Sequence, residues 1–298
     1  VFLSGAGSTV LALANDNAED VAVAFRDIAA ELGLGGRAMV VGLASAGAEV
    51  TTSPLPSATG RRSIVVQKFG GSSVANSDRI RAVAARVVRA QEQGHQIVLV
   101  ESGVGLVAAA MTTQLLIDQF KPENILFSGI CGAVSSEYRI GDIAVPYKWI
   151  IHDFGVYDSS GFRLAQNQDK RFIYYAADPN LLSLAGESAK QNLGFHKIDS
   201  RIPAIRFSKI GSSGNSFIDQ AQKRQWLKGV GIEIVDMESG AVVQVANANL
   251  VPVLVIRSCS DLAGGSGSST ALKELEEFFK VATENSAIFL VEILKRIK

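Results

Sequence analysis

The sequence predicts an α/β protein in which a mixed, largely parallel sheet is flanked by helices, preceded by a small α+β segment. Three observations carry that prediction. From residue 63 onward, β-type and helical stretches alternate along the chain, the pattern of layered α/β folds. The run Gln96-Ile97-Val98-Leu99-Val100-Glu101 is apolar enough to be buried on both faces, as parallel strands are. Two carboxylates, Glu238 and Asp261, flank an Ala- and Val-rich stretch that reads as a helix followed by a short buried strand. The carboxyl edge of such a strand is where open α/β sheets bind ligands.

Residues 1–52 read as strand, helix, strand. Val1 to Leu13 contains two β-type runs around a Gly turn, and residue 1 already reads as mid-strand, so the chain is expected to begin inside a fold. Apolar positions at 21, 25, 28, 29 and 32 have a helical period, Gly33 to Gly36 stops the helix, and 38–43 is a strand. The segment 51–62 has two prolines, small polar residues and no periodicity, which marks a linker. The expected organisation is therefore a partial segment 1–52, a linker 53–62 and an α/β domain 63–298.

That domain opens with a βαβ unit. Residues 63–69 are a strand, Gly70-Gly71-Ser72-Ser73 a turn, and Asn76 or Ser77 caps a helix that Gly94 ends. Strand 96–101 follows after one helix, as a right-handed crossover requires, so 63–69 is expected inside the main sheet. Next come a helix 106–120, a strand 124–127, a Gly-rich turn 128–133, and a strand near 142–146. Helices near 179–193 and 219–228 follow, then Glu238 in the first turn of a helix, a strand 251–257 with Asp261 just past its end, and an amphipathic helix 271–297. No internal repeat is present.

With 47% hydrophobic and 19% charged residues, the 298-residue chain can bury a sizeable core. Its 29 acidic and 29 basic residues cancel, which gives no overall drive toward nucleic acid or anionic lipid. Cys131 and Cys259 sit in apolar or Gly-rich surroundings and read as free buried thiols in a reducing compartment. No apolar run approaches the ~20 residues of a membrane span, and no secretory signal pattern is present, so the expected compartment is the cytoplasm. His95, His152 and His196 are scattered without metal-ligand spacing, and no metal site is expected.

Several motifs have both a chemical and a structural reading. Gly103-Val104-Gly105-Leu106-Val107-Ala108 matches a dinucleotide fingerprint, but the strand ending Leu126-Phe127-Ser128 lacks the acid that would hold a ribose. A nicotinamide cofactor is thereby disfavoured, while a turn of amides facing phosphate or sugar stays open. Lys68 to Ser73 could face phosphate or simply end a strand, and Ser4 to Thr9 has the same ambiguity. His152-Asp153 is functional or a hydrogen-bonded pair; Phe217-Ile218 stacks on a base or fills the core. Glu238 and Asp261 are an acid pair suited to cleaving a sugar–base bond, or a helix cap and a turn residue.

Read together, Glu101-Ser102-Gly103-Val104-Gly105, Ser128-Gly129-Ile130-Cys131-Gly132-Ala133, Ile140-Gly141-Asp142-Ile143, His152-Asp153, Gly214-Asn215-Ser216-Phe217-Ile218, Val235-Asp236-Met237-Glu238 and Arg257-Ser258-Cys259-Ser260-Asp261 form an ordered series. Over residues 96–298 this series resembles the nucleoside phosphorylase/nucleosidase superfamily, most closely the methylthioadenosine/S-adenosylhomocysteine nucleosidases. The resemblance implies a nucleoside phosphorylase-like fold, no cofactor, a homodimer, and hydrolysis of the N-glycosidic bond of 5′-methylthioadenosine or S-adenosylhomocysteine. It implies that Phe217 stacks on the purine beside Ile218. Met237 lines the ribose, and Glu238 accepts bonds from its hydroxyls. Asp261 donates a proton to N7 of the leaving base, supported by Ser260 and Arg257. Gly103 and Ile130, in the two turns, contact substrate.

The departures are informative. The family's first strand and the water-activating glutamate after it have no counterpart. Residues 63–95 instead resemble the N-terminus of aspartokinases, through Val65-Val66-Gln67-Lys68-Phe69-Gly70-Gly71-Ser72-Ser73-Val74. Residues 1–52 resemble the C-terminal end of homoserine kinases, through Ser4-Gly5-Ala6-Gly7-Ser8-Thr9-Val10-Leu11-Ala12-Leu13. Neither piece is complete, so the chain reads as a mosaic of three partial enzymes, and kinase activity is not expected. The phosphate-binding arginine of the hexameric phosphorylases is replaced by Phe127, and the turn position often Ser is Ile130, so hydrolysis is favoured over phosphorolysis. The family's Ser-Gly-Asp-Xaa-Phe reads Ser213-Gly214-Asn215-Ser216-Phe217. The alternative is a nucleoside-binding module whose catalysis is lost.

Overall fold

In the computed structural model the described residues are 2–5, 8–11, 64–68, 96–100, 102–265 and 270–297. The chain divides into two compact units, Val1–Arg61 and Arg62–Lys298. In the first, β1 (Phe2–Gly5) pairs antiparallel with β2 (Ser8–Leu11), matching the two β-type runs around a Gly turn. The helix expected at 18–32, the strand 38–43, the linker, the helix ending at 93, and Glu101 lie outside the described residues.

The second unit is built on a sheet that bends until it meets itself. Its strands are β3 (Ile64–Lys68), β4 (Gln96–Val100), β5 (Asn124–Ala133), β6 (Ile143–Ile151), β9 (Tyr175–Ala176), β10 (Ile205–Ser213), β11 (Ile234–Asp236) and β12 (Val253–Asp261). A separate hairpin pairs β7 (Gly155–Asp158) with β8 (Gly161–Leu164). The main order is β11-β10-β6-β12-β5-β3-β4, with β9 on β6. Pairings β10–β11, β10–β6, β12–β5, β3–β5 and β3–β4 are parallel. β12–β6 and β6–β9 are antiparallel, and β5 also closes antiparallel onto β11 through Gly132 and Ala133. The mixed, largely parallel sheet is thus present, with β3 inside it as the crossover argument requires.

Five helices are described: α1 (Leu106–Phe120), α2 (Pro179–Ser188), α3 (Ala221–Gly229), α4 (Ser239–Ala248) and α5 (Ala271–Leu294). Strand residues alternate between two cores because successive side chains leave a strand on opposite faces. Phe127 and Val255 face the core shared with Ile117 of α1 and Val243 of α4. Leu126, Leu254 and Ile256 face the core shared with Leu181 of α2 and Phe289, Leu290 and Ile293 of α5. Both faces of β5 and β12 are therefore covered, which is why residues 125–127 and 253–256 are uninterrupted apolar runs. Helix α2 starts where Asp178 accepts from the backbone N–H of Asn180 and Leu181, each at 2.9 Å, with Pro179 in the first turn. Among the described residues no helix is long and apolar enough to cross a membrane.

The structure corrects several sequence expectations. Residues 128–133 are not a turn but the second half of β5. Their glycines serve lateral packing instead: a Cβ on Gly129 would overlap Arg257 Nη1, and one on Gly132 would lie 2.7 Å from Asp261 Oδ1. Helix α2 stops at Ser188 rather than 193, and β6 continues to Ile151. Asp261 is the last residue of β12 rather than a residue beyond it, and Glu238 is the cap of α4 rather than part of its first turn.

Candidate active site

The C-terminal ends of β5, β11 and β12, the turn before α1, the segment after β10 and one face of α5 enclose a cavity of about 220 Å³. Gly103, Ile130, Phe217, Ile218, Met237, Glu238, Arg257, Ser260 and Asp261 all line it. Residues separated by more than 150 positions, singled out by type and motif, converge on one space.

Asp261 arrives there through a β-bulge. The register β12–β5 runs evenly from Val253↔Ile125 to Cys259↔Cys131, then shifts so that Asp261 stands opposite Gly132. Such a bulge re-aims the side chain at the end of a strand. Asp261 is only 2% exposed. Its Oδ1 accepts from Ala263 N–H at 2.9 Å, and its Oδ2 lies 2.9 Å from Ser260 Oγ. Burial raises its pKa to about 6, and the negative charges of Glu274 and Asp219 add to the effect; the bonds from Ala263 and Ser260 oppose it. Ser260 Oγ is also 3.3 Å from the Cys131 carbonyl. Its single hydrogen can serve that carbonyl while the oxygen accepts from a protonated Asp261, so the neutral acid fits without an orphaned donor.

Glu238 stands in the same cavity wall, with its backbone carbonyl accepting from Ala241 and Val242 N–H at the start of α4. Its Oε1 accepts from Gly105 N–H at 3.0 Å, and Gly105 caps α1 with φ +91°. The glycine turn that could have faced a phosphate thus gives its amide to a carboxylate of the chain itself, at a helix N-terminus that favours negative charge. Glu238 Oε2 lies 3.5 Å from Arg257 Nη2.

Arg257 is fully buried and ties the acids together. Its Nε is 2.7 Å from Asp236 Oδ2 and donates to Ser239 Oγ at 2.9 Å, and its guanidinium lies 4.4 Å from the Phe127 ring centroid. Asp236 also accepts from the hydroxyls of Ser213 and Ser239 and from the N–H of Glu238 and Ser239 at 3.2 Å. A buried ion pair is tolerated only when its remaining valences are met. Here they fix the 236–239 turn that presents Met237 and Glu238.

Sequence reasoning quoted Asp236 within a motif but gave it no role. It described the closing helix as amphipathic and assigned it no part in the site, whereas Leu275, Phe279 and Thr283 of α5 line the cavity. Their spacing of four is one helical stripe, a signal available in the sequence. Val104, Gly129, Cys131 and Gly132 also line the cavity. His152 is buried behind the site, its Nδ1 3.1 Å from Ser212 Oγ, and burial lowers its imidazole to about 4, so it is neutral. His196 is on the surface, 3.5 Å from Glu284, and His95 lies outside the described residues. Cys131 and Cys259 are free and buried, with sulfurs 3.7 Å apart. Among the described residues no His/Cys/Asp/Glu group is arranged to hold a metal.

The arrangement can hold a proton on one carboxyl while a second carboxylate, backed by a cation, faces it among apolar side chains. Residues 67–295 match the Phosphorylase superfamily. The 5′-methylthioadenosine/S-adenosylhomocysteine nucleosidase of Marinomonas sp. (strain MWYL1) is 32% identical over 206 residues, 68% of this chain and 82% of the relative. A solved S-adenosylhomocysteine nucleosidase from Streptococcus pyogenes, in complex with 5-methylthiotubericidin, has the same fold: TM-score 0.62, 23% identity, covering 81% of this chain and 99% of that one. So has the futalosine hydrolase of Helicobacter pylori strain 26695, with TM-score 0.61 and 20% identity, covering 79% and 98%. By the length of that match and by this relative, the chain belongs to the phosphorylase superfamily.

Proposed function

We propose that this chain hydrolyses the N-glycosidic bond of a purine nucleoside, 5′-methylthioadenosine or S-adenosylhomocysteine, and releases adenine. The observation that carries the reading is Asp261, a buried carboxyl that retains its proton up to about pH 6, in one cavity with Glu238. A purine leaves poorly as an anion, and a proton delivered to N7 by Asp261 lets it leave neutral. Phe217 and Ile218 cover the base, and Met237 lies along the ribose. Glu238 accepts from the ribose hydroxyls and stabilises the positive charge that develops on the sugar as the bond to the base breaks. Water adds to C1′, the bonding pair of C1′–N9 goes to the purine, and the proton that water loses passes to solvent, from which Asp261 regains the proton it gave to N7. Arg257 Nη2, buried, 3.5 Å from Glu238 Oε2 and without a hydrogen-bond partner among the described residues, is a donor left for an oxygen at the cavity floor.

Hydrolysis is preferred to phosphorolysis because a phosphate dianion needs cationic partners. Among the described lining residues the one cation is Arg257, already paired with Asp236. The test is incubation with 5′-methylthioadenosine with and without phosphate. Free 5-methylthioribose with adenine in both samples supports the reading. A sugar 1-phosphate formed only with phosphate overturns it, and binding without release supports an impaired binding module.

The homodimer belongs to the same reading. Val107, Met111 and Leu115 form a stripe along one face of α1, continued by Val104 in the turn before it, and are 70%, 64%, 47% and 58% exposed in that order. A second copy of the chain would cover the stripe, and because Val104 also lines the cavity, that contact would reach the site. Sedimentation velocity tests it. Residues 1–52, which resemble a homoserine kinase end, are read as a partial segment joined by a linker at 53–62 to the α/β domain 63–298, whose start at 63–95 resembles that of an aspartokinase. Rapid proteolysis confined to that linker supports the boundary.

A further inference from the structure

The base-covering residues sit on a short arch between β10 and α3. Its first foot, Gly214, donates to Asp236 O at 3.2 Å and lies flat on His152, where a Cβ would overlap the imidazole Nε2. Its second foot, Ile218, is buried against Val134, Ile150 and Leu227. Between the feet, 215–217 are exposed, and Phe217 is 41% exposed although it lines the cavity. Among the described residues one side chain outside the arch bonds to it. Asp153 Oδ2 accepts from the backbone N–H of Asn215 at 2.7 Å and from its Nδ2 at 3.2 Å.

We propose that Asp153 is a positioning residue for purine recognition: it latches the arch through Asn215 so that Phe217 is held over the base, without itself touching the substrate. The inference rests on the proposed function. Asp153 does not line the cavity, whereas the arch two residues beyond its bonding partner does. The identity of residue 215 matters in the same way. The resembled family commonly has Asp there, which would set two carboxylates against each other; Asn supplies a donor and turns the contact into a two-point hold. Phe217 would otherwise sample positions away from the base, because residues 215–217 between the two packed feet are exposed.

The test measures binding of free adenine by calorimetry and steady-state release of adenine from 5′-methylthioadenosine, in wild type, D153A, N215D and the exchanged pair D153N/N215D. D153A and N215D are expected to weaken adenine binding and raise KM by about fivefold, the effect of one or two hydrogen bonds to a charged group near solvent. Their kcat stays within about twofold, because the reacting atoms are untouched. The exchanged pair restores binding, since the amide placed at position 153 can donate to the carboxylate placed at position 215, while its oxygen still accepts the backbone N–H. A merely structural role moves melting temperature without this split and without rescue. Unchanged adenine affinity in D153A, or a fall in kcat at constant KM, overturns the latch alone. A wild type that does not bind adenine overturns the reading of the site and the latch with it.

Discussion

Replacing Asp261 by Asn separates its chemical role from its cost to the fold. The native carboxyl titrates at about 6 and the unfolded one at 3.8. The native state therefore holds its proton more tightly, and its advantage is complete below about pH 4. That advantage is lost as pH rises through the window from about 4 to 6. Above that window the wild type carries an ionised, desolvated carboxylate, which at 1.36 kcal/mol per pH unit costs about 3 kcal/mol. Asparagine removes the charge and keeps the bonds: its oxygen accepts from Ala263 N–H, and its amide donates to Ser260 Oγ while Ser260 turns its hydrogen to the Cys131 carbonyl. D261N should thus be more stable than wild type by up to about 3 kcal/mol at pH 8 and nearly equal to it near pH 4, while adenine release falls about 10²–10⁴-fold. Urea unfolding of both proteins at the two pH values, with release assayed on the same samples, measures this. Equal urea midpoints at both pH values would refute the claim that Asp261 is desolvated, and retained turnover would refute its role as acid.

Other outcomes follow from the same geometry. Gly129→Ala should drive the Arg257 guanidinium off its place, breaking a buried ion pair at a cost of about 3–5 kcal/mol, read as a lower urea midpoint with loss of substrate binding. Glu274→Gln keeps an acceptor for Leu262 N–H, now bonded at 2.8 Å, but removes a negative charge that raises the pKa of Asp261. The basic limb of the pH–rate profile should move to lower pH in that variant.

What was legible in the sequence was chemistry carried by residue type at fixed places. Glu238, Asp261 and Phe217 stood out locally as a carboxylate at a helix start, an acid after a buried strand and an aromatic after a Gly-rich segment, but each kept a structural reading until the family resemblance gave it a role. The positions of α1 and of β3 in the sheet were legible for the same reason, through helical period and crossover geometry. The second half of β5 was not. Gly129 and Gly132 read as turn residues because local rules count glycine as backbone freedom, whereas here it makes room for Arg257 and Asp261 from the neighbouring strand. Helix α5 hid its role similarly, since Leu275 and Phe279 look like any buried stripe until the cavity beside them is seen. The Asp236–Arg257 pair needed the tertiary fold, because its partners come from β10, β11, α4 and β12.

The pH dependence of kcat/KM for adenine release from 5′-methylthioadenosine tests the central claim most directly, because that ratio reports the ionisations of the free protein. With Asp261 as the acid, the rate should hold below about pH 6 and fall about tenfold for each pH unit above it. In Asp261→Asn that limb should vanish along with most of the activity. A wild-type profile that stays flat or rises from about pH 5 to about pH 9 would contradict the account, because the leaving purine would then depart without the proton of Asp261.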